Sequence, residues 1–517
     1  MPANRRAAAR TLIGVAIGST SIKAVLMAPG SGVLHVARRA TETHTVRGGG
    51  AYHRPAEVLA AVGSAIAECV AAAGSRKPTG IGIASMAEAG VPIDRRNLPV
   101  GEILAWFDPR PERQAAWLER QIGAAPLFAR TGLRPEPKYT LPKLLWLREQ
   151  RAADFTRLRK WAGVAELVAL DLTGELATNA SLACRTLAFD VTKRAWDAEL
   201  LALASLGPDE MPTVLPLGRP VGGLTAAAAT RLGLPAGTPV AIAGHDHLAA
   251  AIGAAVTRVG DALDSMGSAE ATLLVTSAPQ LTEDVRRGGF STGCHAVDGL
   301  AYVVGGLQSS GALMEWFIDA FLPAVPGPAG GVEQPGADRY ARFIELLESA
   351  GPGPVEPLVR PYLRGRTAPH RDPAATLEIE GVHENHTLAD LAGAMVDGCS
   401  YHVRWMLDEL ARITATQLDH VKVTGGGARN RRWAIAKAAL GPGRIEVVRT
   451  GEAAALGAAL VAGMASGAYP TLADALADAS PFDRVTAPPT IRARYDAAYL
   501  DRWLPAVITR LRQGSAG

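Results

Sequence analysis

Two stretches of this chain are written on one plan, and that repetition constrains the fold more than any other feature. Residues 11–17 (TLIGVAI) are apolar, Gly18-Ser19-Thr20-Ser21 is small and polar, and 22–27 (IKAVLM) is apolar again. Residues 258–275 (RVGDALDSMGSAEATLLV) repeat the scheme, with Gly267-Ser268 as the turn. Strand, tight small-residue turn, strand is a β-hairpin. A hairpin opening each half of a chain reads as an internal duplication, with its seam near 250–258. A length of 517 residues leaves room for two large domains, which we place at 1–254 and 255–517.

The first half continues as α/β. APGSG at 28–32 is a turn, and GVLHVARRA alternates into a third strand, antiparallel like the first two. Residues 55–73 form a helix with Val58, Val62, Ile66 and Val70 on one stripe. GIGIAS at 80–85 is a short buried strand. Helices are expected at 140–150 and 195–206, and surface loops at the Pro/Gly-rich stretches 323–337 and 351–361. Near 239 a strand-like PVAIAG leads into His245-Asp246-His247. VKVTGGGARNRRW at 421–433 is a strand, a glycine turn and a helix start, and 452–466 is a helix rich in Ala and Gly that needs a close neighbour.

Composition excludes several classes. Apolar residues are 48% and charged residues 20%, too apolar for a disordered chain. The balance of 53 basic and 50 acidic residues, net +3, argues against an electrostatic nucleic-acid binder. Arg5, Arg6 and Arg10 read as a solvated tail. Four dispersed cysteines, 69, 184, 294 and 399, form no CxxC pair, so neither a disulfide scaffold nor a zinc site is expected and a reducing cytoplasm is the expected compartment. The apolar run at 11–17 is short and polar-flanked, unlike a signal peptide. The Ala-rich stretches 56–74 and 239–257 are broken by Glu57 and Glu68 and by His245-Asp246-His247, so no membrane-spanning helix is expected.

Locally, each candidate for chemistry has a plain alternative. Gly18-Ser19-Thr20 with Lys23, and Gly267-Ser268, are either ordinary hairpin turns or cradles whose backbone N–H groups and hydroxyls meet an anion. Gly425-Gly426-Gly427 is either a loop or a place of close backbone approach to a ligand. It fits neither the dinucleotide nor the Walker pattern. Asp246, between a strand and an Ala-rich helix, is a helix N-cap or a carboxylate at the ligand-binding end of a sheet. Their order says more than each alone. Two anion-type turns, one per half, with an Asp at the junction and a late glycine triplet, suggest duplicated domains closing on a nucleotide.

The chain resembles the FGGY family of carbohydrate kinases, with the actin-like (ribonuclease H-like) fold, from about residue 11 to about 500. The resemblance rests on GVAIGSTSIKAVL at 14–26, WFDPR at 106–110, YTLPKLLWL at 139–147 and LTGELATNASLACRTLAFD at 172–190. It continues through AGHDHLAAAIG at 243–253, DSMGSAEA at 264–271, PYLRGRTAPHRDPAA at 361–375, TGGGARNRRW and EAAALGAAL. It implies two α/β domains around a central cleft. ATP would lie there with its adenosine at Gly425, Gly426 and Asn430 and its phosphates at Gly18, Ser19, Thr20, Lys23, Gly267 and Ser268. A small sugar or polyol would contact Glu88, Trp106 and Asp246. Asp246 would serve as general base and Mg²⁺ ligand. Asp108 would only brace its loop. Neither nucleic acid nor membrane is expected as a partner, and a homodimer is left open.

Three positions depart from the family pattern. Ala16 stands where the family usually has an Asp that helps hold the metal. His247 replaces a common Gln, and Met86 stands where many sugar kinases carry Gln. Ala16 opens a second reading, a nucleotide- and sugar-binding protein with little phosphotransfer. An actin-like assembly protein is a remote third. SMAEAG at 85–90 points faintly to kinases of autoinducer-type or tetritol substrates, and the sugar itself is not legible.

Overall fold

The computed structural model describes residues 10–46, 48–322, 337–441 and 444–514. The strands of the first main sheet are β1 (Thr11–Ile17), β2 (Ser21–Ala28), β3 (Gly32–Ala40), β4 (Pro78–Ser85), β5 (Gly222–Gly223) and β6 (Pro239–His245), with helix α1 (Pro55–Ala73) between β3 and β4. Helix α2 (Asp246–Gly253) follows β6. The second sheet contains β7 (Asp261–Met266), β8 (Glu270–Thr276), β9 (Ser291–Cys294), β10 (Ala301–Leu307), β11 (His420–Gly425), β12 (Arg444–Val448) and β13 (Phe482–Thr486). Helices α3 (Leu388–Thr414), α4 (Arg431–Leu440) and α5 (Ala453–Ala465) interleave with its later strands.

The two sheets share strand pairing and direction, although the antiparallel edge strand precedes its neighbour in the first and follows it in the second. In the first, β3-β2-β1 run antiparallel, β1-β4-β6 run parallel, and β5 closes the edge antiparallel. In the second, β10-β8-β7, then β7-β11-β12, then β13 repeat every pairing and direction, with β9 added beyond β10. The duplication read from the hairpins thus extends through the parallel strands of both sheets.

β1 is a continuous apolar run because both its faces are covered, although strand alternation still sorts them. Ile13, Val15 and Ile17 join the core that holds Val58, Val62 and Ile66 of α1. Leu12 and Ala16 face the core of α5. α5 comes from the chain's second half yet packs on the first sheet. That contact explains glycines in strands. A Cβ on Gly14 would lie 1.9 Å from the Ala455 carbonyl oxygen, and one on Gly82 1.8 Å from that of Ala458. α5 also crosses α2, where a Cβ on Gly457 would lie 1.9 Å from the Ala249 oxygen. The Ala/Gly helix therefore has the close neighbour its composition requires.

Helix α1 is long and apolar enough to cross a bilayer by length and composition, but its Val58, Val62, Ile66 and Val70 are buried, and it packs on β2 and β3. Helix 140–150 forms as Thr140–Gln150. Two expectations are corrected. The stretch 195–206 is a short strand, Ala195–Trp196, then a single-turn helix, Ala198–Ala202. Asp197 starts that helix late by accepting from Leu200 N at 3.1 Å. The stretch 351–361 is not all surface loop: Leu358–Arg360 is a buried strand, and Arg360 pairs with Glu378 and Glu380. The expected loop at 323–337 lies outside the described residues up to 336.

Candidate active site

Strand β6 loses register against β4 between Ile242 and Gly244. Gly244 there has φ +111°, and a Cβ on it would sit 2.2 Å from Ser181 Oγ. Such a bulge re-aims the side chains beyond it. His245 becomes the N-cap of α2, with no side-chain capping bond, and Asp246 its first residue. The local reading of Asp246 as N-cap is therefore off by one residue. Its Oδ1 accepts from His247 N at 2.8 Å and lies 3.2 Å from His245 Nε2. Burial lowers the His245 pKa to about 3, so this imidazole is neutral near pH 7. Ligand atoms of His245, Asp246 and His247 lie within 4.8 Å of one another, a set able to hold a cation.

Asp246 lines two cavities. One, of about 390 Å³, also receives Ser19, Glu88, Trp106 and Arg185. The other, of about 150 Å³, is lined by Ala16, Gly18, Lys23 and Glu452. A third cavity of about 780 Å³ lies between the second hairpin turn and the glycine triplet, lined by Gly267, Ser268, Gly426 and Asn430 with Met314 and Phe343.

The residues singled out in the sequence reach these cavities unequally. Gly18, Ser19 and Thr20 form the β1–β2 turn, closed by Gly18 N to the Ser21 oxygen at 3.0 Å. Gly18 borders the small cavity and Ser19 the 390 Å³ one. Thr20 is exposed, and its carbonyl accepts from Thr41 N. Lys23 borders the small cavity but pairs with Glu452 at 2.9 Å. Gly425 is absent from the lining among the described residues. At φ +100°, with a Cβ position 2.2 Å from the Met266 oxygen, it lets β11 lie against the end of β7. Asn430 both borders the large cavity and caps α4, accepting from Trp433 N at 2.9 Å.

Glu88 sits in the left-handed region, φ +64°, a strained setting for a non-glycine residue. Its Oε1 accepts from Arg185 at 2.6 and 2.8 Å. Lys143 Nζ donates to the Glu88 carbonyl at 2.7 Å. Burial lowers the Lys143 pKa to about 7, against the raising field of Glu88. Trp106 is 36% exposed at the cavity wall. Asp108 is buried and bound to Arg110, whose Nη2 lies 2.6 Å away, so it braces the loop that carries Trp106.

Several site groups escaped the sequence reading. Arg185 stands inside LACRTLAFD and Lys143 inside YTLPKLLWL. A lone cation in an apolar run was the available signal. Glu452 precedes α5 and binds Lys23 and, at 2.6 Å, Arg38. Nothing local marked it as a link between the two halves.

The family description "FGGY family of carbohydrate kinases" matches twice, its N-terminal domain over residues 11–253 and its C-terminal domain over 262–466. The chain is 24% identical to a gluconokinase of Bacillus subtilis over 468 residues, 90% of each protein. It is 28% identical to a xylulose kinase of Klebsiella pneumoniae over 359 residues, 69% of this chain and 70% of that one. A solved xylulose kinase from Rhodospirillum rubrum superposes with a TM-score of 0.85 at 26% identity, covering 98% of this chain and 99% of that one. With both halves matched and the same fold in sugar kinases, the chain belongs to the FGGY family of carbohydrate kinases.

Proposed function

We propose that the protein transfers the γ-phosphoryl group of ATP to a hydroxyl of a small sugar or polyol, with Asp246 as general base. The observation that carries this reading is the position of Asp246, shared by the 390 Å³ cavity and the small cavity beneath the first hairpin turn. In this reading the adenosine occupies the 780 Å³ cavity, at Gly426 and Asn430 with Gly425 shaping the turn. The phosphates face Gly18, Ser19 and Thr20 from one half (1–254) and Gly267 and Ser268 from the other (255–517). The sugar lies against Glu88 and Trp106. Its hydroxyl oxygen attacks the γ-phosphorus, the bond to the β–γ bridging oxygen breaks, ADP leaves, and the hydroxyl proton passes to Asp246. Phosphoryl transfer needs positioning and charge neutralisation above all. The Arg185–Glu88 pair and the indole face of Trp106 hold the acceptor.

The donor set fits Mg²⁺, which binds through one or two carboxylates plus substrate phosphates and keeps several waters. Asp246 offers that carboxylate, while Glu452 is occupied by Lys23 and Arg38. When bound, the ion would neutralise phosphate charge. Ala16, at the wall of the small cavity, offers no oxygen and supports a second reading, nucleotide and sugar binding with little transfer. The names of the relatives, gluconokinase and xylulose kinase, favour five- and six-carbon acceptors.

The test is ADP release from MgATP across polyols, ketopentoses and aldonates, beside Asp246→Asn. Acceptor-dependent ADP that disappears in the variant is expected. Nucleotide binding without acceptor-dependent ADP would favour the second reading. An Ala16→Asp variant with unaltered Mg²⁺ dependence and rate would remove that reading's basis.

A further inference from the structure

Three cations of the acceptor cavity surround one carboxylate. Lys138 Nζ lies 2.6 Å and Arg134 Nη2 3.5 Å from Glu136. Arg371 borders the same cavity, and its side chain makes no hydrogen bond or ion pair among the described residues. Burial opposes ionisation of Glu136, yet Lys138, then Arg134 and Arg371, hold its pKa at about 2. The carboxylate is therefore ionised, and the cluster keeps two positive charges in excess. Asp246 lines the same cavity and Arg185 is paired with Glu88, so among the described lining residues four cations face three carboxylates and one positive charge is left over.

We infer that this cavity is built for an acidic acceptor, a polyhydroxy monocarboxylate, with Arg371 and Lys138 receiving its carboxylate and Arg134 adding charge. The inference rests on the kinase reading and narrows its substrate. A neutral sugar is held well by groups already paired with each other. Arg371 is exposed and makes no side-chain pair among the described residues, so it is free to turn toward an anion entering the cavity. The Arg371 fork can match a carboxylate with two parallel hydrogen bonds, whereas Arg134, already bonded to backbone carbonyls, adds charge alone. None of the three cations borders the 780 Å³ cavity proposed for the adenosine or the 150 Å³ cavity at the first hairpin turn. A volume of about 390 Å³ is ample for an open-chain acid of five or six carbons. The cluster also spans the halves. Arg134 donates to the carbonyls of Arg286 and Gly289 at 3.2 Å each, and Arg371 comes from the second half, so a bound carboxylate would draw the halves together.

The experiment compares kcat/KM for pairs that share a carbon skeleton, gluconate with glucitol and xylonate with xylitol, at fixed ionic strength. Calorimetric binding of the same four compounds without ATP runs in parallel. The acids should be preferred at least tenfold, and added salt should erode the preference. Arg371→Gln, on an exposed side chain, and Lys138→Met should each cut the acid-to-neutral ratio at least tenfold, chiefly through KM for the acid. Turnover of the neutral members with no acid preference would overturn the inference and leave the kinase reading intact. So would an Arg371→Gln variant whose KM rises for ATP instead of for the acid. No turnover of any compound, with acids still bound and binding weakened in the variants, would sink the kinase reading and keep the inference. No acid binding in either format overturns it.

Discussion

Replacing Gly457 with alanine tests whether the α2–α5 crossing sets the position of Asp246. The added Cβ would lie 1.9 Å from the Ala249 carbonyl oxygen and 3.0 Å from Gly253 N. Both are backbone atoms, so no side chain can swing aside, and the helices must part by more than an ångström. In an exposed helix the same change stabilises by about 1 kcal/mol, from propensity alone. Overpacking a close contact costs about 1–3 kcal/mol. Gly63, inside α1, is the internal control, since among the described residues nothing lies within 4 Å of a Cβ placed there. Gly63→Ala should leave stability equal or raise it by up to about 1 kcal/mol, whereas Gly457→Ala should lose about 1–3 kcal/mol. Urea unfolding monitored by circular dichroism measures both. The displaced helix begins at Asp246, and a misplacement of about 1 Å can cost about 100-fold in rate. Gly457→Ala should therefore lose far more kcat than Gly63→Ala. Equal unfolding midpoints and equal kcat for the two variants would refute the argument.

Three further outcomes can be checked by the same means. Lys143 has a folded pKa of about 7 against 10.5 for the free side chain. The unfolded chain thus holds the extra proton between those values, and stability rises with pH across that window and is flat below it. Lys143→Met should remove this slope. Relative to wild type it should lose several kcal/mol, on the order of 3–4, between pH 7 and pH 10, as urea titrations at the two pH values would show. Lys437 meets Asp264 at 2.8 Å and also Glu270, all three buried. Burial and Asp264 hold the Glu270 pKa at about 8 against the lowering effect of Lys437, so Lys437→Met raises it further and its loss, up to about 3–5 kcal/mol, should be larger at pH 9 than at pH 7; equal losses at both would exclude this origin. Glu88→Gln should raise KM for the acceptor about tenfold or more, the loss of one charge-assisted bond, with KM for ATP changed much less, and equal rises in both constants would place Glu88 outside the acceptor site.

The fold was legible where local pattern and burial agree. β1 through β4 and α1 were readable because an apolar run, a small-residue turn and a 3.6-residue stripe are each local signals. The region 195–206 misled because its apolar residues suit a helix, while the cap at Asp197 and the strand before it depend on a partner strand, Phe189–Asp190. The site was legible through its ordered motifs, which brought Gly18, Glu88, Asp246 and Gly267 to attention before any geometry was in view. Arg185, Lys143 and Glu452 were not, since each acts on a partner far away in sequence.

The sequence alone determined the duplicated hairpins, the α/β class, the family and the absence of a carboxylate at position 16, because all of these reside in residue identity and short-range order. Only the tertiary structure decided that Asp246 lies one residue past the cap, between two cavities. It also decided that Lys23 is paired, that α5 is pressed against the other half's sheet, and that Arg371 joins Arg134 and Lys138 around Glu136. Those outcomes depend on which backbones approach within contact distance and which charges share a desolvated space, and neither quantity is a property of a residue and its sequence neighbours.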